Sequence, residues 1–230
     1  MRVVGVTGNK RSGKDTIGKI LQEKGYQPLS FAKKLKDAAH TYSSIMVHNI
    51  SGGDESRREE VGPIMILLRD IIRMAKFLEL DRKLYYPFQC RFLEVFQPYV
   101  EMETDLGVSY RMSERTYLQL LGTEVCRHFK DSIWVDFVRD EIENNPENKY
   151  VITDVRFDNE AAMITANGGK VVCVVREGMN GDGHVSEKGV SSHLVDFIIE
   201  NNGTVEDLKE EVRKINGRLP FEEENPRIRR

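Results

Sequence analysis

Little in this chain of 230 residues speaks for a secreted or membrane-spanning protein. Cysteine is scarce. Cys90, Cys126 and Cys173 are the only three, widely spaced and odd in number, with no C-x-x-C pair. That argues against a disulfide scaffold and for a reducing compartment. The five histidines show no metal-ligand spacing, which argues against a structural zinc. Long apolar runs are missing as well. Val3–Val6 is too short for the core of a signal peptide, and no run approaches the ~20 residues that cross a bilayer. Charge of one sign is also lacking: 34 Lys and Arg face 37 Asp and Glu, for a net −3. The balance predicts no general affinity for nucleic acid or anionic membrane, so any basic site has to be local. No internal repeat occurs. What remains is a 40% hydrophobic chain long enough for one α/β domain with a sizeable core.

The first sixteen residues carry the strongest signal. Arg2–Thr7 is a short apolar run, and Gly8-Asn9-Lys10-Arg11-Ser12-Gly13-Lys14-Asp15-Thr16 follows it. An amphipathic stretch through Ile17, Ile20 and Leu21 then runs to Gly25. Strand, glycine-rich bend and helix are the setting of a phosphate-binding loop, G-x-x-x-x-G-K, here Gly8, Gly13 and Lys14. Two glycines let consecutive backbone N–H groups turn inward, and the helix N-terminus adds partial positive charge. Lys14 supplies a mobile cation for the outer phosphates. The residue after the lysine, usually Ser or Thr for magnesium, is Asp15. Either its carboxylate or the Thr16 hydroxyl could serve the metal.

Further along, Tyr26–Ala32 predicts a second strand and Lys33–His40 a helix. Residues 43–112 interrupt the α/β rhythm. Within them Ser51–Asp54 predicts a loop, and Val61, Ile64, Leu67/Leu68, Ile71/Ile72 and Ala75 predict a helix between Gly62 and Leu80. Arg69, Arg73 and Lys76 on that helix suit a solvated stripe. Phe88, Phe92, Leu93, Phe96 and Tyr99 suit a core or interface, in a stretch (81–112) whose secondary structure the pattern does not assign. Ser113 is an N-cap for a helix to about Lys130. On it Arg115, Gln119 and Gly122 share a side that suits a ligand; a mid-helix glycine implies close approach by another helix or a ligand. Trp134, the sole tryptophan, heads the next helix and by itself predicts a core residue.

Tyr150–Phe157 contains a buried strand followed by Asp154 and Arg156. Ligands collect at the carboxyl ends of parallel strands. Asp154 is therefore a candidate metal-orienting carboxylate and Arg156 a phosphate clamp. Lys170–Val175 predicts a further strand ending at Arg176, and the glycine-rich residues 177–190 predict either a lid that excludes water or a simple surface loop. A last strand at 196–199, a turn through Asn201-Asn202-Gly203-Thr204 and a helix over Val205–Ile215 follow, with a polar tail from 220 to 230. Strands separated by helices predict an α/β, three-layer P-loop kinase fold. Its mostly parallel sheet has about five strands, and a largely helical insertion would receive the acceptor.

Taken together, these residues resemble the deoxynucleoside monophosphate kinases of tailed bacteriophages. The resemblance lies in Lys10–Thr16, where the aspartate is the family's own form, and in Arg115 with Leu118-Gln119-x-Leu121-Gly122-Thr123, then Trp134. It continues through Asp154-Val155-Arg156 with Glu160, Val174-Val175-Arg176, His184-x-Ser186-Glu187 and Ile199-x-Asn201-x-Gly203-Thr204-x-x-Asp207-Leu208. The matches run in order along the chain and thin out between about 43 and 110. The resemblance implies transfer of the γ-phosphoryl of ATP, with Mg2+, to a dNMP such as dGMP, dTMP or a dCMP-type nucleotide. Gly8 and Lys10–Thr16 would hold ATP, with Asp15 and Asp154 at the metal and Arg176, Gly203 and Thr204 completing the donor site. Lys14, Arg115, Asp154 and Arg156 would be catalytic. Gln119, Thr123, Trp134 and Glu160, with Arg115 and Arg156, would bind the acceptor, giving Trp134 a role at the base that its composition alone does not suggest. A homodimer in the cytoplasm, that of the host if the protein is viral, is implied too, without nucleic-acid or membrane partners. Two rivals remain: another small-molecule P-loop kinase, acting on NMP or dephospho-coenzyme A, and a nucleotide-binding module without turnover.

Overall fold

The computed structural model describes residues 2–45, 59–178 and 189–216. The loop expected at Ser51–Asp54, most of the expected lid and the tail lie outside them. The chain divides into two compact units, Met1–Phe31 with Val135–Arg230, and Ala32–Trp134. The second unit is wider at both ends than the insertion expected at 43–112.

The first unit is built on five parallel strands: β1 (Arg2–Thr7), β2 (Gln27–Leu29), β7 (Lys149–Ile152), β8 (Lys170–Val175) and β9 (Phe197–Glu200). Their order is β2-β7-β1-β8-β9, with every pair parallel. Central β1 is apolar on both faces, as a doubly covered strand must be. Val4 and Val6 point to one side, into a core with Ile17, Ile20 and Leu21 of α1 (Lys14–Gln22) and Leu208 and Val212 of α9 (Val205–Asn216). On the other side, a Cβ on Gly5 would meet Ile164 of α8 (Asp158–Ala166) at 2.6 Å. Alternation along one strand thus sets helices on both faces, the three layers that the sequence predicts.

The second unit holds α2 (Lys33–Tyr42), β3 (Ser43–Ile45), β4 (Val61–Leu67), α3 (Leu68–Phe77), α4 (Tyr85–Phe96), β5 (Val100–Glu103) and β6 (Gly107–Ser113). Next come α5 (Glu114–Gln119), a π-helical segment (Leu120–Cys126) and α6 (Arg127–Phe129). The last helix, α7 (Ile133–Asn144), carries the chain back to the first unit. Four of these elements form an antiparallel sheet, β3-β4-β6-β5, so this unit is not as helical as the sequence suggests.

The predicted helix from Gly62 starts only at Leu68, and the first third is β4. Ile64 and Ile66 are buried while Met65 between them is exposed, a period of two that the adjacent Leu67 and Leu68 mask. Phe88, Phe92 and Phe96 of α4 are fully buried; Phe92 and Phe96, with centroids 4.5 Å apart, pack against Tyr110 and Tyr117, and Phe88 packs against Phe129. They form the core of this unit. Arg69, Arg73 and Lys76 are exposed, Arg73 pairing with Asp70 at 2.8 Å.

Candidate active site

Gly8 leaves β1 at φ 140° and Gly13 caps α1 at φ 109°, values that favour glycine. Neither position has room for a side chain. A Cβ at Gly8 would strike the carbonyl oxygen of Val174 on neighbouring β8, and one at Gly13 would strike the side-chain amide of Asn201. Between them Arg11 also adopts a left-handed conformation, φ 62°, and the Ser12 N–H closes the turn on the Asn9 carbonyl at 3.2 Å. Lys14 bends back over this loop, its ammonium donating to the carbonyls of Gly8 (2.7 Å) and Asn9 (2.6 Å). Lys10 is half-buried, Arg11 exposed, and Thr16 half-buried in the first turn of α1. The thiol of Cys173 lies near Lys14; burial raises its pKa, and the lysine's charge opposes that rise.

The loop is braced from two distant parts of the chain. Asn201, 8% exposed just after β9, donates its backbone N–H to the Val175 carbonyl and its side-chain amide to the Ser12 carbonyl, both at 2.8 Å. On the opposite side, the Thr153 hydroxyl at the end of β7 donates to Oδ1 of Asp15 at 3.2 Å. The Thr153 methyl group would lie 2.6 Å from a Cβ on Gly18, so α1 comes down closely on this residue. Neither brace stands out in the sequence, since a threonine or asparagine at a strand end is ordinary.

Asp154 follows Thr153 and is half-buried. Its carboxylate accepts the Ser30 hydroxyl at 2.7 Å and the Phe31 N–H at 3.2 Å, tying the end of β2 to the end of β7. Arg156 is half-buried two residues on. Glu160 is buried and accepts the backbone N–H groups of Arg156 (2.8 Å) and Phe157 (3.2 Å), capping α8 and fixing the backbone that presents Arg156. Arg176 is exposed just past β8. Thr204 caps α9 with Asp207: its N–H and hydroxyl both donate to the Asp207 carboxylate, lowering that carboxyl's pKa. Gly203 lies against the same carboxylate. The loop, Asp154, Arg156, Arg176 and Asn201 thus line the carboxyl edge of the parallel sheet.

Arg115, Gln119, Thr123 and Trp134 belong to the second unit. Ser113 caps α5 as predicted, its hydroxyl accepting the Thr116 N–H at 3.1 Å. The helix does not stay α-helical to Lys130, however; seven residues from Leu120 form π turns. The change alters which residues share a face. Four residues overshoot an α turn by about 40° but fall short of the wider π turn, whose bonds run from i to i+5. The two drifts oppose each other, so Arg115, Gln119 and Thr123 keep to one side, all half-buried. Tyr117, Leu121, Gly122, Val125 and Cys126 keep to the buried side. Leu35 of α2 supplies the close approach expected at Gly122, 2.7 Å from where a Cβ would stand. Trp134 is 4% exposed and donates its indole N–H to the Gly122 carbonyl at 3.2 Å. Beside this segment the Arg127 guanidinium is buried and donates to the Asp131 carbonyl at 2.8 Å, a buried cation that the sequence pattern does not single out.

Among the described residues no helix is long and apolar enough to cross a membrane, and no group of three or more His, Cys, Asp or Glu could hold a metal ion.

The family model of deoxynucleotide monophosphate kinases matches residues 2–212. The deoxynucleotide monophosphate kinase of Enterobacteria phage T4 is 27% identical over 237 residues, covering 93% of this chain and 98% of that protein. Its counterpart in Escherichia phage RB69 is 24% identical, covering 94% and 99%. A putative deoxynucleotide monophosphate kinase of Acanthamoeba polyphaga mimivirus is 25% identical, covering 92% and 94%. A match from the phosphate loop at one end to the last described helix at the other leaves no large part of the chain unaccounted for: the chain belongs to the deoxynucleotide monophosphate kinase family.

Proposed function

We propose that this enzyme transfers the γ-phosphoryl group of ATP to a deoxynucleoside monophosphate, giving a dNDP and ADP. The observation that carries the reading is the braced phosphate loop, with Lys14 over it and Asp154 and Arg156 at the adjoining strand end. Phosphoryl transfer asks for positioning and neutralisation of spread negative charge rather than a covalent nucleophile. Here the inward N–H groups of residues 8–13 and the N-terminus of α1 receive the donor phosphates, and Lys14 moves from the loop carbonyls to the outer phosphates. Arg156, presented by the Glu160-capped backbone, and Arg115 hold the acceptor phosphate and the group in flight. Arg176 reaches toward the donor phosphates, and the Gly203–Thr204 turn borders the donor base. Gln119 and Thr123 read the acceptor base with hydrogen-bonding groups on one side of their helix.

The oxygen donors at the sheet edge suit a hard cation that takes one or two carboxylates and completes its shell with water and phosphate oxygens. Asp15 and Asp154, with the Thr16 hydroxyl, would hold such an ion. When bound with ATP, Mg2+ supplies charge neutralisation at the phosphate oxygens. A homodimer accompanies this reading by family resemblance, and sedimentation of the purified chain checks it.

The reading is tested with γ-32P-labelled ATP and each dNMP in a single-turnover assay that separates dNDP from inorganic phosphate. The native chain makes labelled dNDP, whereas folded Lys14→Ala and Arg156→Ala variants make none. Native-like transfer by either variant contradicts the role assigned to that residue.

A further inference from the structure

A π turn is uncommon, and in this chain it coincides with the segment proposed to read the acceptor. Its bonds run from i to i+5, and the second lone pair of each carbonyl stays open to a further donor. That donor is present: the buried indole of Trp134, whose N–H reaches the Gly122 carbonyl from twelve positions further along the chain. Gly122 meets Leu35 on its Cα, so the same residue is held through its carbonyl and through its missing side chain. Trp134 is only 4% exposed, so the ring is buried.

We propose that Trp134 is a positioning residue. Its indole N–H, bonded to Gly122, holds the π register that keeps Thr123 on the same side as Arg115 and Gln119, and so sets base discrimination in the acceptor site. The inference rests on the proposed kinase function and gives Trp134 a part distinct from direct contact with the nucleotide. Buried hydrogen-bonding groups discriminate strongly between substrates only when held in register. Losing one support of that register is expected to act on acceptor binding and leave ATP binding alone.

The test replaces Trp134 with β-(3-benzothienyl)alanine, which keeps the size and stacking surface of the ring but exchanges the N–H for sulfur. The expected result is a KM for the preferred dNMP raised about tenfold, with a narrower ratio of kcat/KM between preferred and rejected bases. The KM for ATP stays unchanged. Because the chain has a single tryptophan, the native protein gives one indole N–H resonance in a 15N-labelled sample, and this signal is expected to exchange slowly with solvent. Backbone amides of residues 120–126 exchange faster in the variant. An unprotected native indole overturns the proposal. So does a variant with native acceptor KM and base ratio, above all if Trp134→Ala loses dNMP binding, because the ring alone then matters. A protected indole in a chain that phosphorylates no dNMP would retain the strut and remove the kinase reading, so the two failures are distinguishable.

Discussion

Asn201 offers the sharpest test of how the phosphate loop is held. Replacing it with alanine removes the amide that donates to the Ser12 carbonyl at 2.8 Å in a site only 8% exposed. It also removes the side chain packed on Gly13. A buried acceptor left without its donor costs about 1–3 kcal/mol. Taking ~2 kcal/mol, a protein of this length loses about 4–8 °C in Tm. Asn201→Asp is expected to cost more, because it turns a carboxylate oxygen toward a carbonyl and adds negative charge beside the phosphate site. Both variants should raise the KM for ATP more than that for the dNMP, since the brace acts on the donor loop. Ser12→Ala is the control. The Ser12 hydroxyl is fully buried with no hydrogen-bond partner among the described residues, so its loss should leave Tm unchanged or raise it. Thermal unfolding followed by circular dichroism, together with the two KM values, reads the comparison. An Asn201→Ala variant with native Tm and native KM for ATP would refute the brace.

Two further outcomes follow from neighbouring contacts. Thr153→Val keeps the methyl group against α1 but deletes the hydroxyl bonded to Asp15; it should raise the Mg2+ concentration for half-maximal rate and weaken Mn2+ binding to the ATP complex by electron paramagnetic resonance, while Thr153→Ser keeps both near native. At Asp158 the Ser191 hydroxyl and N–H both donate to the carboxylate and hold its pKa below the ordinary aspartate value. A lowered folded-state pKa contributes stability above the ordinary value and loses it as pH falls through the lowered one. The urea midpoint of the native chain should therefore exceed that of Asp158→Asn at neutral pH, and the gap should close in acid; a constant gap would assign the effect to packing.

Much of the first unit is legible in the sequence because each of its signals is local. Gly8, Gly13 and Lys14 lie within seven positions, and the strands that carry Asp154 and Arg176 read as apolar runs with an abrupt polar end. The braces are not local. Asn201 and Ser12 are 189 positions apart, Thr153 and Asp15 138, and neither pair leaves a pattern that spacing could reveal. In the second unit the failure has another source. Ile64 and Ile66 alternate as a strand demands, but Val61, Ile64 and Leu68 also fit a helix, and only pairing with β6 decides between them. Residues 81–112 resist assignment because α4 is aromatic on its buried side and carries Pro87 in its first turn, while β5 is exposed along its whole length. The π turns escape any period-based reading: they retain the buried side of the α-helix before them while shifting its register.

At Trp134 composition, family likeness and packing all bear on one residue. Composition predicts a core residue, family likeness assigns it to the base, and the fold buries it with its N–H on Gly122. As proposed, its influence on the acceptor runs through the helix that bears Gln119 and Thr123.

The most direct test of the central claim is steady-state ADP release from the purified native chain with Mg-ATP, offering each of the four dNMPs and four NMPs in turn and then no acceptor. The account predicts release that depends on an acceptor, with at least one dNMP giving a far higher kcat/KM than its ribonucleotide counterpart and little release without acceptor. Equal ADP release with and without every nucleotide, or ATP binding with no release at all, would contradict it.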